Sequence, residues 1–409
     1  VNLTSALSEE DSQAKCFNHY ICFVPPNQQR SEMTRKLTNS TVSGCILILC
    51  LMPSCMQETN EATIVINMDT QRFIDIGIER ILDNSTYTTL EFTPESSLSG
   101  ILWFLQYCDA FYVIDGRQRK LLHFDSQGKF IQKIGEVGAG PNEFVALFDA
   151  HVSEKGFSFL VGTSETKIFD YSLGGEFLRS TTFLPEPSYA FGVHPQNGDY
   201  FFKGLEHQKP RITKIDPHSS SVIDTFLTMN GFAGFEMDHN FSVSTNDNML
   251  FFTSMDNQVY EITTDTREVK YKLEYRSNYP DYLNINRDSW KDLDTHGYWL
   301  IHRILENNDW MYLCISRGSN TQDDLQELYN LVYNIKTQEI FRIPGRWQDQ
   351  NDFYPAFYLG EDNLLHISMV PVKILDDPIW MEFFNRSGKS PDEDSNPIIL
   401  KVALDKVFK

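Results

Sequence analysis

The chain has 409 residues, with 56 Asp and Glu against 35 Lys and Arg, a formal charge of −21, and 13% aromatic residues. So negative a surface repels phosphate backbones and anionic lipid, which argues against nucleic acid as a partner and leaves membrane association to a covalent anchor. The length suits one large β domain once the N-terminal segment is set aside, because no Pro/Ser-rich linker or composition break divides the remainder.

Residues 1–32 carry the acidic run Glu9-Glu10-Asp11 where an exported chain needs basic residues. They read as an upstream leader, with translation expected to begin at Met33. From there the basic pair Arg35 and Lys36, the apolar run Cys45–Met52 and the small Ser54 before Cys55 make the three parts of a secretory signal over 33–54. Its apolar core is far shorter than the ~20 residues that span a bilayer. A cysteine at the cut resembles the bacterial lipoprotein signal, so lipidation of Cys55 is expected, against simple secretion or an uncleaved anchor. Met52 and Pro53 depart from that signal's usual residues. The expected location is the cell envelope, periplasmic or surface-exposed. Residues 55–85 follow as tether and lead-in.

Beyond them a phrase recurs. Its clearest copy, Ala110 to Phe144, reads as two apolar strands, a tight turn at Asp125-Ser126-Gln127-Gly128, a third strand and a Gly/Pro loop. Weaker copies begin at Ile168, Lys214, Glu261 and Val332. The marker residues Asp125, Asp170, Asp216 and Thr263 are 45, 46 and 47 positions apart, and the next, Asn334, lies 71 further on. Four strands and their turns need about 40–50 residues, the period of a propeller blade. The spacing predicts an all-β fold over 86–409, a six-bladed β-propeller of four-stranded antiparallel blades, with five blades as the nearest competitor. The Tyr87–Phe92 strand is expected to close the ring against PIILKVALD, since an open edge would be sticky.

In chain order, the innermost strands are expected within 97–107, 144–153, 188–195, 239–245, 297–305 and 353–360. Each is followed by a Gly-, Asn- or Asp-rich turn and a second apolar strand. Two insertions break the period, 276–296 and 376–396, and such insertions are where function tends to sit. Of seven cysteines, Cys108 and Cys314 fall in apolar strands beyond the signal, where buried free thiols are expected ahead of a bridge between them.

The run IDGRQRKLLHFDSQGKFIQKIGEVGAGPNEF, with TYTTLEFTPESSLSGI before it and DSNPIILKVALDK at the end, resembles the bacterial six-bladed β-propeller lipoproteins with NHL-like repeats. That resemblance implies a funnel-shaped envelope protein. It carries over no catalytic residue, because no reaction characterises the family as a class.

The residues themselves give little chemistry. Gly138 to Glu143 lacks the Lys-Ser/Thr of a phosphate loop and reads as a blade-to-blade turn with Glu143 as its orienter. An Asp opening a hairpin bonds its own backbone, which accounts for the Asp125, Asp170 and Asp216 series. The acidic groups Asp288, Asp292, Asp294 with His296, and Asp392, Glu393, Asp394, lack EF-hand spacing and read as solvated loops; no cofactor is expected, with calcium as the exception to test. The candidate funnel residues are Asp149, Tyr189, Phe191, Asn240, Trp299, Arg303 and Tyr354, against a reading in which the aromatics are packing core. The leading expectation is a non-catalytic binding protein for a glycan, peptide or envelope-protein partner. The rival is a propeller lyase or hydrolase with a metal or carboxylate site at the funnel mouth.

Overall fold

The computed structural model describes residues 63–98, 101–140, 142–162, 166–182, 188, 190–204, 210–228, 241–244, 247–253, 257–274, 299–317, 327–344, 356–371, 374–388, 390–392 and 394–408. Its strands form six small antiparallel sheets arranged as a six-bladed β-propeller. Blade 1 is Ile101–Tyr107, Ala110–Asp115, Lys120–Phe124 and Phe130–Ile134; blade 2 is Ala146–Ser153, Gly156–Gly162, Thr166–Tyr171 and Phe177–Thr182. Blade 3 is Phe191–Val193, Tyr200–Lys203, Pro210–Ile215 and Val222–Thr228; blade 4 is Phe241–Val243, Met249–Phe251, Gln258–Ile262 and Arg267–Glu274. Blade 5 is Trp299–Glu306, Trp310–Arg317, Glu327–Asn334 and Ile340–Ile343. Blade 6 is Ala356–Leu359, Leu364–Met369 and Ile398–Ala403, completed by Ser85–Thr89 from the other end of the domain.

Each first strand touches the first strand of the next blade, round the full cycle back to blade 1. The core follows that geometry. Six apolar clusters occupy the six junctions, from Tyr112, Phe144 and Phe157 between blades 1 and 2 to Phe104, Phe357 and Ile399 between blades 6 and 1. Phenylalanine and tyrosine fill these wedges because a flat ring spans two tilted sheets, as Phe104 does against Phe357 at 4.9 Å between centroids.

The closing strand starts two residues earlier than the sequence suggests and ends at Thr89. It pairs antiparallel with Ile398–Val402, Tyr87 opposite Leu400. The chain then crosses to blade 1. The Glu91 amide donates to the Gly128 carbonyl at 2.7 Å, and the Glu91 carboxylate accepts the Phe130 amide at 2.8 Å.

The lead-in before it also belongs to the fold. Ile64–Asn67 adds parallel to Arg267–Glu274 as a fifth strand of blade 4, and Phe73–Asp75 adds parallel to Ile340–Ile343 on blade 5. One segment therefore covers the outer edges of blades 4, 5 and 6 in turn, which removes three exposed ladders.

The insertion at 376–396 is structural. Asp377 caps a helix, Pro378–Ser387, by accepting the Ile379 amide at 2.8 Å, and Gly388 ends it in the left-handed region at φ 72°. Trp380, Phe383 and Phe384 are buried against blades 5 and 6, together with Ile81 and Leu82 of the short helix Ile78–Asp83. The insertion at 276–296 lies outside the described residues, as do Cys55 and residues 33–54.

The cysteines correct one expectation. Cys314 is a buried free thiol, but Cys108 is disulfide-bonded. It sits past the end of its strand, exposed at φ 50° in the turn between the first two strands, where no apolar packing encloses it.

Candidate functional site

The first strands of a propeller line its axis, so the side chains they turn inward set what the funnel can recognise. In four blades that strand carries one register shift, at differing distances from its end. Pairing with the second strand skips one residue between Ile101 and Trp103, Leu147 and Asp149, Ile301 and Arg303, and Ala356 and Tyr358. The three-residue first strands of blades 3 and 4 pair without a shift. An extra residue reverses the in–out alternation and re-aims the side chain that follows. Blades 5, 6, 1 and 2 are consecutive, and the residues that follow the shifts are Arg303, Tyr358, Trp103 and Asp149.

The two charged members stitch neighbouring blades. Asp149 is 3% exposed; one carboxylate oxygen accepts the Ala150 amide at 2.8 Å and the other the Phe191 amide of blade 3 at 3.0 Å. Arg303 donates from Nη2 to the Phe357 carbonyl of blade 6 at 3.2 Å. Trp103 and Tyr358 are half-buried at the 1/2 and 6/1 junctions, the Tyr358 ring lying edge-on to His366 at 5.3 Å. His151 follows Asp149 on the same side of its strand. Burial pushes its pKa down to about 4 against the opposing pull of Asp149, so it is a neutral imidazole at pH 7.

Two of the seven residues expected at the funnel, Asp149 and Arg303, each follow one of these register shifts. Phe191 and Trp299 are in first strands but only 4% and 5% exposed; Phe191 packs on Phe202, and Trp299 meets Tyr329 edge-on at 5.0 Å. Tyr189, Asn240 and Tyr354 lie outside the described residues. The register shifts at Leu102 and Phe357 were not legible in the sequence, since both look like any apolar strand residue.

The family described as a domain of unknown function, DUF4934, matches residues 62–403. The chain belongs to this family. The matched span takes in the parallel strand on blade 4 and the last strand of blade 6, so it covers the whole DUF4934 propeller. Among solved structures, a candidate exported protein of Bacteroides fragilis is similar at 16% identity and a TM-score of 0.67, over 83% of this chain and 99% of that one. A member of the DUF4221 family from Bacteroides vulgatus is similar at 13% identity and a TM-score of 0.48, over 78% and 95%. At these identities the likeness concerns the fold alone. No curated protein matches the sequence.

The other motifs of this DUF4934 chain resolve into turns. Asp125 accepts the amides of Gln127 and Lys129, Asp216 that of His218, Thr263 those of Asp265 and Thr266, and Asn334 those of Lys336 and Thr337. Asp170 departs from the series. It lies within a strand, accepts Ser158 Oγ at 2.6 Å and Arg179 Nε at 2.6 Å, and takes the Tyr200 hydroxyl of blade 3 at 3.1 Å; Ser172 holds the turn in its place. The Gly138–Glu143 loop joins blades 1 and 2, with the Gly140 amide on the Glu143 carboxylate at 2.8 Å. A Cβ at Gly138 would lie 1.9 Å from that carboxylate, which explains the glycine. Asp392 accepts Ser395 Oγ at 2.7 Å within its own turn, while Glu393 and 288–296 lie outside the described residues. Among the described residues no three His, Cys, Asp or Glu side chains converge as a metal would require.

Proposed function

We propose that this protein is a non-catalytic, exported cell-envelope propeller of bacterial type, tethered by lipid at Cys55, that presents its funnel to a glycan, peptide or protein partner. The observation that carries this reading is the inner ring itself. Two of its charged residues, Asp149 and Arg303, are engaged with backbone groups of the neighbouring blade, which suits a rigid recognition surface better than proton transfer. Support for export comes from the signal-like residues 33–54 and from the similar fold of a candidate exported protein of Bacteroides fragilis.

Two experiments test it. Mass spectrometry of the native N-terminus should find a lipid-modified Cys55, and an unmodified or uncleaved terminus removes the anchor. Glycan-array and pull-down screens with the full chain should return a ligand, and a blank in both removes the binding role.

A further inference from the structure

The outer wall of the propeller bears on how an anchored chain meets its membrane. We propose that the outer strand of blade 3, Val222–Thr228, together with Val65 on blade 4, rests against the headgroup layer of the bilayer that holds the lipid of Cys55; this rests on the anchored reading above and adds the side of the propeller that faces the membrane.

Among the described residues, the lead-in covers the outer edges of blades 4, 5 and 6 and leaves those of blades 1, 2 and 3 without a further strand. On blade 3 the four consecutive residues 222–225 are exposed, so this edge is open on both faces, and Val222 and Ile223 are 59% and 50% exposed. Val65, on the strand added to blade 4, is 51% exposed. Exposure alone does not choose among the bare edges. The tether does.

Thr63 is fixed to blade 4 by its hydroxyl, which donates to the Val269 carbonyl at 2.9 Å, and Val65 lies two residues on. Two residues before Val269, Arg267 donates to Asp224 of blade 3 at 2.7 Å and lies over the Phe226 ring at 4.3 Å. A short run of contacts therefore leads from Thr63 to the residue that follows Ile223. Cys55 precedes Thr63 by eight positions (63 − 55), a reach of at most about 28 Å for a fully extended chain. A lipid inserted at Cys55 thus holds this part of the wall near the bilayer.

The edge suits headgroups better than an added peptide strand. Its ladder is broken by the register shift that leaves Ile223 unmatched between Val222 and Asp224, and again by Leu227 at φ 54°, so only Asp224–Phe226 stay regular. An open sheet edge does not enter hydrocarbon, so the contact stays at headgroup depth. The nearby carboxylates are engaged: Asp224 pairs with Arg267, and Asp216 accepts the His218 amide and Ser219 Oγ in its own turn. Repulsion from more distant charge fades over a Debye length of about 8 Å. A contact on the perimeter also leaves both mouths of the funnel open to a ligand.

Hydrogen–deuterium exchange on the full lipid-modified chain in phosphatidylcholine vesicles tests this, with Cys55→Ser in the same vesicles as the unanchored reference. Amides of Val222–Thr228 should exchange roughly three-fold or more slowly in the anchored chain, as for a strand covered most of the time, while those of Phe130–Ile134, the bare outer strand of blade 1, stay unchanged. Val222→Ser and Ile223→Ser are surface changes that keep the fold, and each should reduce the protection with the lipid still in place. Equal exchange of Val222–Thr228 in the anchored and unanchored chains overturns the contact while the anchor stands, as does equal protection of Phe130–Ile134 or protection that survives both serine variants. An unmodified Cys55 in the mass spectrum removes the anchor, and this contact with it.

Discussion

Lys270 and Glu306 join blades 4 and 5 through a 2.8 Å ion pair in which the glutamate side chain has no exposure to solvent. The same ammonium reaches Glu261 at 2.9 Å and Ser244 Oγ at 2.9 Å, and the Tyr271 hydroxyl donates to the other oxygen of Glu306. Burial raises the Tyr271 hydroxyl far above its ordinary range, with Glu306 adding to the effect, so that group stays a donor. Replacing Lys270 with Met strands a buried carboxylate, which costs about 3–5 kcal/mol. Denaturant unfolding of Lys270→Met should show that loss, and a change under about 1 kcal/mol would mean the pair contributes nothing at this junction.

The same network sets the acid limit. Burial opposes ionisation of Glu261, but hydrogen bonds from Ser244 and Lys270 outweigh it and hold its pKa below the usual carboxylate range. A depressed carboxylate pKa contributes stability that is present above the unfolded value, about 4.3, and lost as pH falls through the folded one. Ser244→Ala removes one of those bonds, so acid unfolding followed by tryptophan fluorescence should begin at higher pH than in the wild type.

His366 works over a different range. It is 3% exposed among Phe111, Phe357 and Tyr358, and burial lowers its pKa to about 3, with the nearby Lys401 pushing the same way. The unfolded chain binds this proton near pH 6.5 and the folded one does not, so stability falls with pH from about 6.5 downward. His366→Gln should flatten the pH dependence of unfolding free energy between pH 6.5 and 4 by up to one proton; an unchanged slope would show that His366 does not titrate on unfolding.

Helix Pro378–Ser387 should behave as core. Trp380 has no exposed surface, and Phe383 and Phe384 lie against Tyr87 of the closing strand at 5.5 and 5.2 Å. Trp380→Ala is expected to cost about 3–5 kcal/mol by cavity formation, read by thermal unfolding. A near-neutral result would return this insertion to the surface.

The sequence, through a strand-turn period near 46 residues and a strand at each end able to pair with the other, was enough to imply six blades and their closure. Both signals are local: hairpin turns need particular residues, and a junction needs apolar strands whichever blades meet there. Which Asp belongs to a turn was less legible. Asp170 and Asp216 look alike in the chain, yet Asp170 sits inside its strand, two residues before the turn, and ties blade 2 to blade 3.

Only the tertiary structure decided the rest. A bulge is a relation between two strands, so the register shifts before Trp103 and Tyr358 leave no mark in a single strand's composition. Likewise the wrap of Ile64–Asn67 and Phe73–Asp75 round blades 4 and 5 depends on edges assembled from residues some 200 to 270 positions away, and short runs such as IVIN and FID name no partner. Repetition specified the architecture because every blade repeats the same local physics; the site arises where blades differ, and those differences exist only once the strands are paired.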